Sequence, residues 1–211
     1  MRCAATVLTA ASKSTAMVDG RLVYLIGPSG SGKDTLIALA RKILNKNNDL
    51  YFSRRYVTRA HAEGTDVACT AEEFAGYVKR GIFALNWEAH GLRYGIKTVI
   101  DSQLRAGKCV VVNGSRAYLA AALARYPRLI PVLISVPPEV ARERLLARKR
   151  EDAASMAERL SRSPGIAVPP SRLVTVDNNG PPEEAARALV EILVGDGHQG
   201  FGGTHSRVSA L

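Results

Sequence analysis

Leu22-Val23-Tyr24-Leu25-Ile26-Gly27-Pro28-Ser29-Gly30-Ser31-Gly32-Lys33-Asp34-Thr35-Leu36-Ile37-Ala38-Leu39-Ala40-Arg41 decides how the rest of the chain is read. An apolar run ends in a glycine-rich turn, and a second apolar-periodic run follows it. That is strand, loop, helix. Gly27, four intervening residues and Gly32-Lys33 have the spacing of a phosphate-binding P-loop. Its glycines let backbone N–H groups curl around a phosphate without Cβ clashes. The helix start adds unpaired N–H groups and a positive dipole end. Lys33 is then the cation for the β- and γ-phosphates, and Gly27, Ser29, Gly30, Ser31, Gly32, Lys33, Asp34 and Thr35 are the expected nucleotide-binding residues. The bland alternative, a strand–helix turn that binds nothing, is disfavoured by the strand before and the helix after.

Asp34 departs from the pattern, which has Ser or Thr after the lysine to ligate Mg²⁺. A carboxylate is a hard oxygen donor and suits Mg²⁺, directly or through water. Beside phosphates its charge is costly without the ion. Asp34 is therefore the expected metal ligand, with capping of the helix N-terminus as the other reading.

A chain of 211 residues is long enough to bury a sizeable core and fits one α/β domain. Its net charge of +10, from 29 basic and 19 acidic side chains, points to an anionic partner. Nucleic acid, a membrane surface and a highly phosphorylated small molecule all qualify. Aromatic residues make up only 6% and no nucleic-acid-binding module is recognisable, which disfavours nucleic acid. No apolar run approaches membrane-spanning length. Cys3, Cys69 and Cys109 lack metal-ligand spacing, and the N-terminal segment lacks a signal-peptide apolar region. The expected compartment is the cytoplasm.

Residues 1–20 read as a mobile tail, in which Met17 is an alternative start, and 195–211 as a disordered Gly/Ser-rich tail. Between them strands are expected at 22–26, 50–52, 83–87, 109–113, 129–136 and 173–176. Helices are expected at 33–45, from a capping box at Thr70 to about residue 80, and at 97–106, 115–125, 138–150, 153–162 and 182–194. Residues 60–69 read as loop. The alternation implies a parallel sheet with helices on both faces, whose ligands sit at the carboxyl ends of the strands. Lys33, Arg59, Asn113 and Asp177 fall at such ends.

Joined to Val57-Thr58-Arg59, Tyr94-Gly95 and the arginine-rich stretch 142–162, the P-loop gives a chain that resembles the guanylate kinase branch of nucleoside monophosphate kinases over residues 21–194. The resemblance implies a substrate-binding segment at about 52–96 and a closing lid at about 139–165. It matches Arg59 to a substrate-phosphate arginine and Tyr94 to a tyrosine of the same pocket. It matches Arg148 and Arg159 to arginines that close over the transferring phosphoryl group, so Lys33, Arg148 and Arg159 are the expected catalytic residues.

The base-reading positions do not match. Guanylate kinases carry Glu soon after the Phe of a Phe-Leu-Glu motif; here the run is Phe83-Ala84-Leu85. Their Ser or Thr after Tyr-Gly is Ile96, their acidic pair after the central strand is Asn113 and Ser115, and their second phosphate arginine is Ala62. Arg55 is an added cation. With Arg55-Tyr56-Val57-Thr58-Arg59, Ala84-Leu85-Asn86-Trp87, His90-Gly91-Leu92 and Val112-Asn113-Gly114-Ser115-Arg116, the chain is similar to the ribose 1,5-bisphosphate phosphokinase family of phosphonate catabolism. Asp after the P-loop lysine is usual in that family. The resemblance implies transfer of the γ-phosphoryl group of ATP, with Mg²⁺, to the 1-phosphate of ribose 1,5-bisphosphate, giving 5-phosphoribosyl 1-diphosphate and ADP.

Arg55, Arg59, Tyr94, Asn113, Ser115 and Arg116 are the expected substrate-binding residues, since forked guanidinium groups suit phosphates and Asn and Ser suit sugar hydroxyls. Asp177 and Asn178 are expected at the edge of the adenine pocket. Trp87 reads as core, and His90 as either a substrate contact or a loop histidine. The run Arg142, Arg144, Arg148, Lys149, Arg150 is more often a wet helix face, and only Arg148 of it is singled out. Three readings stay open beside the bisphosphate kinase: a nucleoside monophosphate kinase with unusual base recognition, a non-catalytic binding module, which the presence of Lys33 disfavours, and a nucleic-acid binder. A homodimer is left open.

Overall fold

The computed structural model describes residues 20–62, 64–147 and 168–195. The two expected tails, the second basic helix at 153–162, most of the expected lid, and with it Arg148 and Arg159, lie outside the described residues.

The central layer is a parallel sheet of β1 (Arg21–Ile26), β2 (Leu50–Phe52), β7 (Cys109–Asn113), β8 (Ile130–Ser135) and β9 (Val174–Asp177), in the order β2-β7-β1-β8-β9. β1 lies in the middle, with Leu25 paired to Asn113 on one side and to Val132 on the other. Both of its faces are covered, which is why it reads as an unbroken apolar run. Val23 and Leu25 point to one face and pack with Leu36 and Ile37 of α1 (Lys33–Ile43) and with Ala186 and Leu189 of α6 (Pro182–Val194). Leu22, Tyr24 and Ile26 point to the other and pack with Ile100 of α3 (Val99–Arg105) and Leu119 of α4 (Leu119–Arg125). α5 (Pro138–Ala147) follows β8.

Beside the expected parallel sheet stands a second sheet. β3 (Arg55–Val57), β4 (Val67–Ala68), β5 (Phe83–Ala89) and β6 (Leu92–Lys97) form a four-stranded sheet in the order β4-β3-β6-β5. Residues 60–69 are thus not all loop, and Lys97 ends a strand rather than starting a helix. β5 and β6 form a hairpin closed by His90-Gly91, both with positive φ (52° and 68°), as a tight two-residue turn requires. His90 is therefore a turn residue. Leu85, Trp87, Tyr94 and Ile96 share the face turned to β1 and β7 and join their core. On the opposite face Tyr56 and Phe83 pack with Phe74 and Tyr77 of α2 (Ala71–Lys79), which begins at the expected Thr70–Glu73 capping box. The Lys97 ammonium lies over the rings of Tyr56 and Tyr77, at 4.2 and 5.0 Å, which keeps it on the sheet. The helix expected from residue 115 begins at Leu119, because Ser115 N–H donates to the Tyr24 hydroxyl instead (3.0 Å).

Candidate active site

Phosphate loop. Gly32 is the N-cap of α1 in a left-handed conformation (φ 86°), and no side chain caps the helix. The first-turn N–H groups of α1 are thus left to a ligand. A Cβ at Gly32 would collide with the Asn178 amide. Asn178, 2% exposed after β9, donates from Nδ2 to the Ser31 carbonyl (2.7 Å), while its own N–H donates to the Ser135 carbonyl (2.9 Å). It ties the loop to the sheet. Asn178, expected at the edge of the adenine pocket, has its amide buried under the loop. Asp177 is exposed and accepts from the Asn179 N–H (3.1 Å). The Lys33 ammonium reaches back across the loop to the carbonyls of Gly27 (2.9 Å) and Pro28 (3.0 Å) and to Ser31 Oγ (3.3 Å).

Carboxylate–guanidinium chain. Asp34, with 54% of its side chain exposed, does not cap the helix. Its Oδ1 accepts from Asn113 Nδ2 (2.7 Å) and lies 3.7 Å from Arg55 Nη2. Arg55 reaches it from the second sheet and makes a two-pronged bond to Asp66, Nε to Oδ1 (3.1 Å) and Nη2 to Oδ2 (2.9 Å). Arg59 Nη2 stands 3.5 Å from the same Oδ2. Burial by itself would pull the Arg55 guanidinium down, but the bonds and charge of Asp66, with the charge of Asp34, hold it above its ordinary value. Its carbon lies 5.2 Å from the centre of the Tyr94 ring. Tyr94 stacks on Trp87, which stacks on Tyr118. Tyr94 is therefore the floor beneath Arg55, and Trp87 is core, as expected.

Strap after β7. Gly114 follows Asn113 where a Cβ would run into the Tyr24 ring. Ser115 is held through its backbone to the Tyr24 hydroxyl, and burial pushes that hydroxyl well above the ordinary tyrosine range. Arg116 is half-buried, and burial pulls its guanidinium down.

The structure thus brings together Lys33, Asp34, Arg55, Arg59, Tyr94 and Asn113, with Ser115 and Arg116 on the adjoining strap. Sequence reasoning missed Asp66, which lay in a stretch read as loop; its signal was an acid close to Arg54, Arg55 and Arg59 in a basic chain. It also passed over Arg144. That half-buried side chain of α5 has Nη1 3.9 Å from where a Gly32 Cβ would lie, so part of the run read as a wet helix face stands beside the phosphate loop.

No protein-family model matches the chain. Curated relatives do. The protein of Desulfomicrobium baculatum named ribose 1,5-bisphosphate phosphokinase PhnN is 48% identical over 176 residues, 82% of this chain and 94% of that protein. Proteins of the same name are 47% identical in Burkholderia pseudomallei, covering 83% and 96%, and 46% identical in Pseudomonas paraeruginosa, covering 85% and 98%. The chain belongs to the ribose 1,5-bisphosphate phosphokinase family. Among solved structures, guanylate kinase from Anaplasma phagocytophilum superposes with a TM-score of 0.61 at 20% identity, over 83% of this chain and 85% of that one. That likeness shows the fold: a guanylate kinase-like α/β kinase fold.

In this phosphokinase family member, two of the positions singled out for base reading are a cross-strand pair of apolar side chains. Leu85 faces Ile96, at 1% and 0% exposure. The donor set also bears on a metal. Among the described residues no three His, Cys, Asp or Glu side chains gather into a metal cage. Asp34 offers one exposed carboxylate at the start of α1, which fits a Mg²⁺ ion that keeps its waters and is held mainly by nucleotide phosphates. No helix among the described residues is long and apolar enough to cross a membrane.

Proposed function

We propose that the chain transfers the γ-phosphoryl group of ATP to the 1-phosphate of ribose 1,5-bisphosphate, forming 5-phosphoribosyl 1-diphosphate and ADP. The observation that carries the reading is Arg55 reaching from the second sheet to within 3.7 Å of Asp34 on the phosphate loop. It sets the acceptor-side cations directly against the nucleotide side, with apolar Leu85 and Ile96 where a base reader would stand.

When bound, ATP supplies the phosphoryl group and Mg²⁺ offsets the charge of its phosphates. The acceptor is a phosphate with a second pKa of about 6, so it is largely dianionic at neutral pH and needs no general base. One P–O bond to the new oxygen forms as the bond to the β-phosphate breaks, and ADP leaves with the electron pair. Lys33 exchanges the carbonyls of Gly27 and Pro28 for phosphate oxygens. The first turn of α1 adds N–H donors, and Asp34 is the carboxylate that would meet the ion. Arg55 and Arg59 hold acceptor phosphate, with Arg116 available for the second phosphate. Asn113, oriented by Asp34, and Ser115 suit the ribose hydroxyls. Arg148 and Arg159 remain the proposed closing arginines. Catalysis is then positioning plus charge stabilisation. The proposed compartment is the cytoplasm, which the free, buried Cys69 and Cys109 support.

Phosphorus NMR tests this. With ATP, Mg²⁺ and ribose 1,5-bisphosphate, the purified chain should consume the 1-phosphate resonance and give the coupled pair of a diphosphate ester. ATP binding without any such product would refute the assignment.

A further inference from the structure

We propose that Asp66 is a positioning residue for the acceptor, setting the orientation of Arg55 and Arg59. The inference rests on the acceptor reading above. Asp66 precedes β4, and the parallel pairing of Tyr56 with Val67 brings it beside Arg55. Strand pairing, rather than a long side chain's reach, makes the contact. The Asp66 side chain is 4% exposed. Its two oxygens receive Nε and Nη2 of Arg55, and Arg59 Nη2 approaches the second oxygen. A two-pronged bond fixes the plane of a guanidinium group, which a single bond or a diffuse charge does not. The pair with Asp66 uses Nε and Nη2 and leaves Nη1 outside it. The Tyr94 ring fixes the other direction by lying under the guanidinium.

The sign of the effect separates positioning from simple electrostatics. Asp66 is an anion beside a site for anions. If it acted only through charge, Asp66→Asn would make the surroundings more positive and tighten acceptor binding. Positioning requires the opposite, since a neutral amide cannot accept both prongs and lets Arg55 swing.

Steady-state kinetics of the full chain test this. In Asp66→Asn, KM for ribose 1,5-bisphosphate should rise by about tenfold to a hundredfold, as expected when a binding group is misplaced by an ångström, while KM for ATP should change less than about twofold. A lowered or unchanged acceptor KM would overturn the proposal. So would an equal rise in both KM values, the mark of general loosening. A second readout needs no turnover: the ¹⁵N side-chain spectrum should show an Arg55 Nε–H shielded from exchange in the wild type and not in Asp66→Asn. An Arg55 Nε–H unshielded in the wild type would also overturn it. If Asp66→Asn does not fold, Arg55→Ala and Arg55→Ala/Asp66→Asn are compared. The added change should then cost little further acceptor affinity, and a full independent loss would exclude action through Arg55. A wild type that binds ATP but does not phosphorylate the bisphosphate refutes the assigned reaction instead, with the Arg55 resonance still reporting on Asp66.

Discussion

Replacing the acceptor by GMP tests the site where it differs most from a nucleotide pocket. The polar edge of guanine needs hydrogen-bonding partners once it is taken from water. Leu85 and Ile96, at 1% and 0% exposure, face each other across β5 and β6 and provide none. Each polar group buried without a partner costs roughly 1–3 kcal/mol. Two lost partners therefore cost about 2–6 kcal/mol, which is about 30-fold to 20,000-fold in kcat/KM at about 1.4 kcal/mol per decade. Ribose 1,5-bisphosphate has no base and bears none of this penalty. ADP release, measured side by side with the two acceptors at saturating ATP, should show the bisphosphate ahead by at least the lower figure. A single substitution probes the same cause. Ile96→Thr supplies a hydroxyl on a shorter side chain and should raise GMP turnover, with a loss of fold stability because a fully buried apolar side chain becomes both smaller and polar. Comparable GMP and bisphosphate turnover in the wild type would refute the reasoning and return the chain to the nucleoside monophosphate kinases.

Further outcomes follow from the loop and from the α3–α4 contact. Lys33→Ala should keep the fold and lower kcat by about a hundredfold to a thousandfold, the loss typical of one preorganised donor to developing charge; unchanged kcat at saturating ATP would exclude a catalytic role. Asn178→Ala strands the buried Ser31 carbonyl without its 2.7 Å donor, so KM for ATP should rise while the acceptor KM holds, and melting should fall by the equivalent of about 1–3 kcal/mol. Equal changes in both KM values would count against a role confined to the loop. Burial and the bond to Asp101 (2.6 Å) push the Tyr126 phenol up to about 12. An unfolded tyrosine titrates near 10, so the fold keeps the proton that the unfolded chain releases. That contribution is complete below about pH 10 and is lost as pH rises from about 10 to 12. The stability advantage of wild type over Tyr126→Phe should therefore shrink across that window in alkaline denaturation, and a constant or growing advantage would contradict it.

The parts of the molecule that were legible in the sequence are those whose signals are local. The P-loop carries its glycines at fixed spacing, β1 and β7 are unbroken apolar runs because both faces are covered, and α2 announces itself by the Thr70–Glu73 box. The second sheet was not legible for a physical reason. β3 and β4 are only three and two residues long, too short for a period to show. The face of β3 that turns inward carries Arg55, which reaches Asp34 at the start of α1, so the usual alternation of apolar and polar residues is broken there. Asp66 was hidden by the same cause, since its partner is chosen by strand pairing and not by spacing. Asn178 holds the loop through a buried amide, which no pattern of residue types distinguishes from an exposed one.

That hidden pairing changes what the basic character of the chain means. Arg55 reads from sequence as a spare cation, and the +10 net charge as a general attraction for phosphates. In the structure Arg55 and Arg59 stand against Asp34 and Asp66, two positive charges and two negative, which sum to zero. Long-range charge can raise the local concentration of an anionic acceptor, but it does not choose among anions. Under the reaction proposed above, choice at this cluster falls to the geometry of Arg55, whose guanidinium plane is fixed by Asp66 and by the Tyr94 ring. In that proposal an acceptor phosphate gains only if its oxygens meet the direction Asp66 sets while its sugar reaches Asn113, which donates to Asp34. Asp34 therefore joins the start of α1 to both the second sheet and the end of β7, since its one carboxylate oxygen accepts from Asn113 and stands 3.7 Å from Arg55.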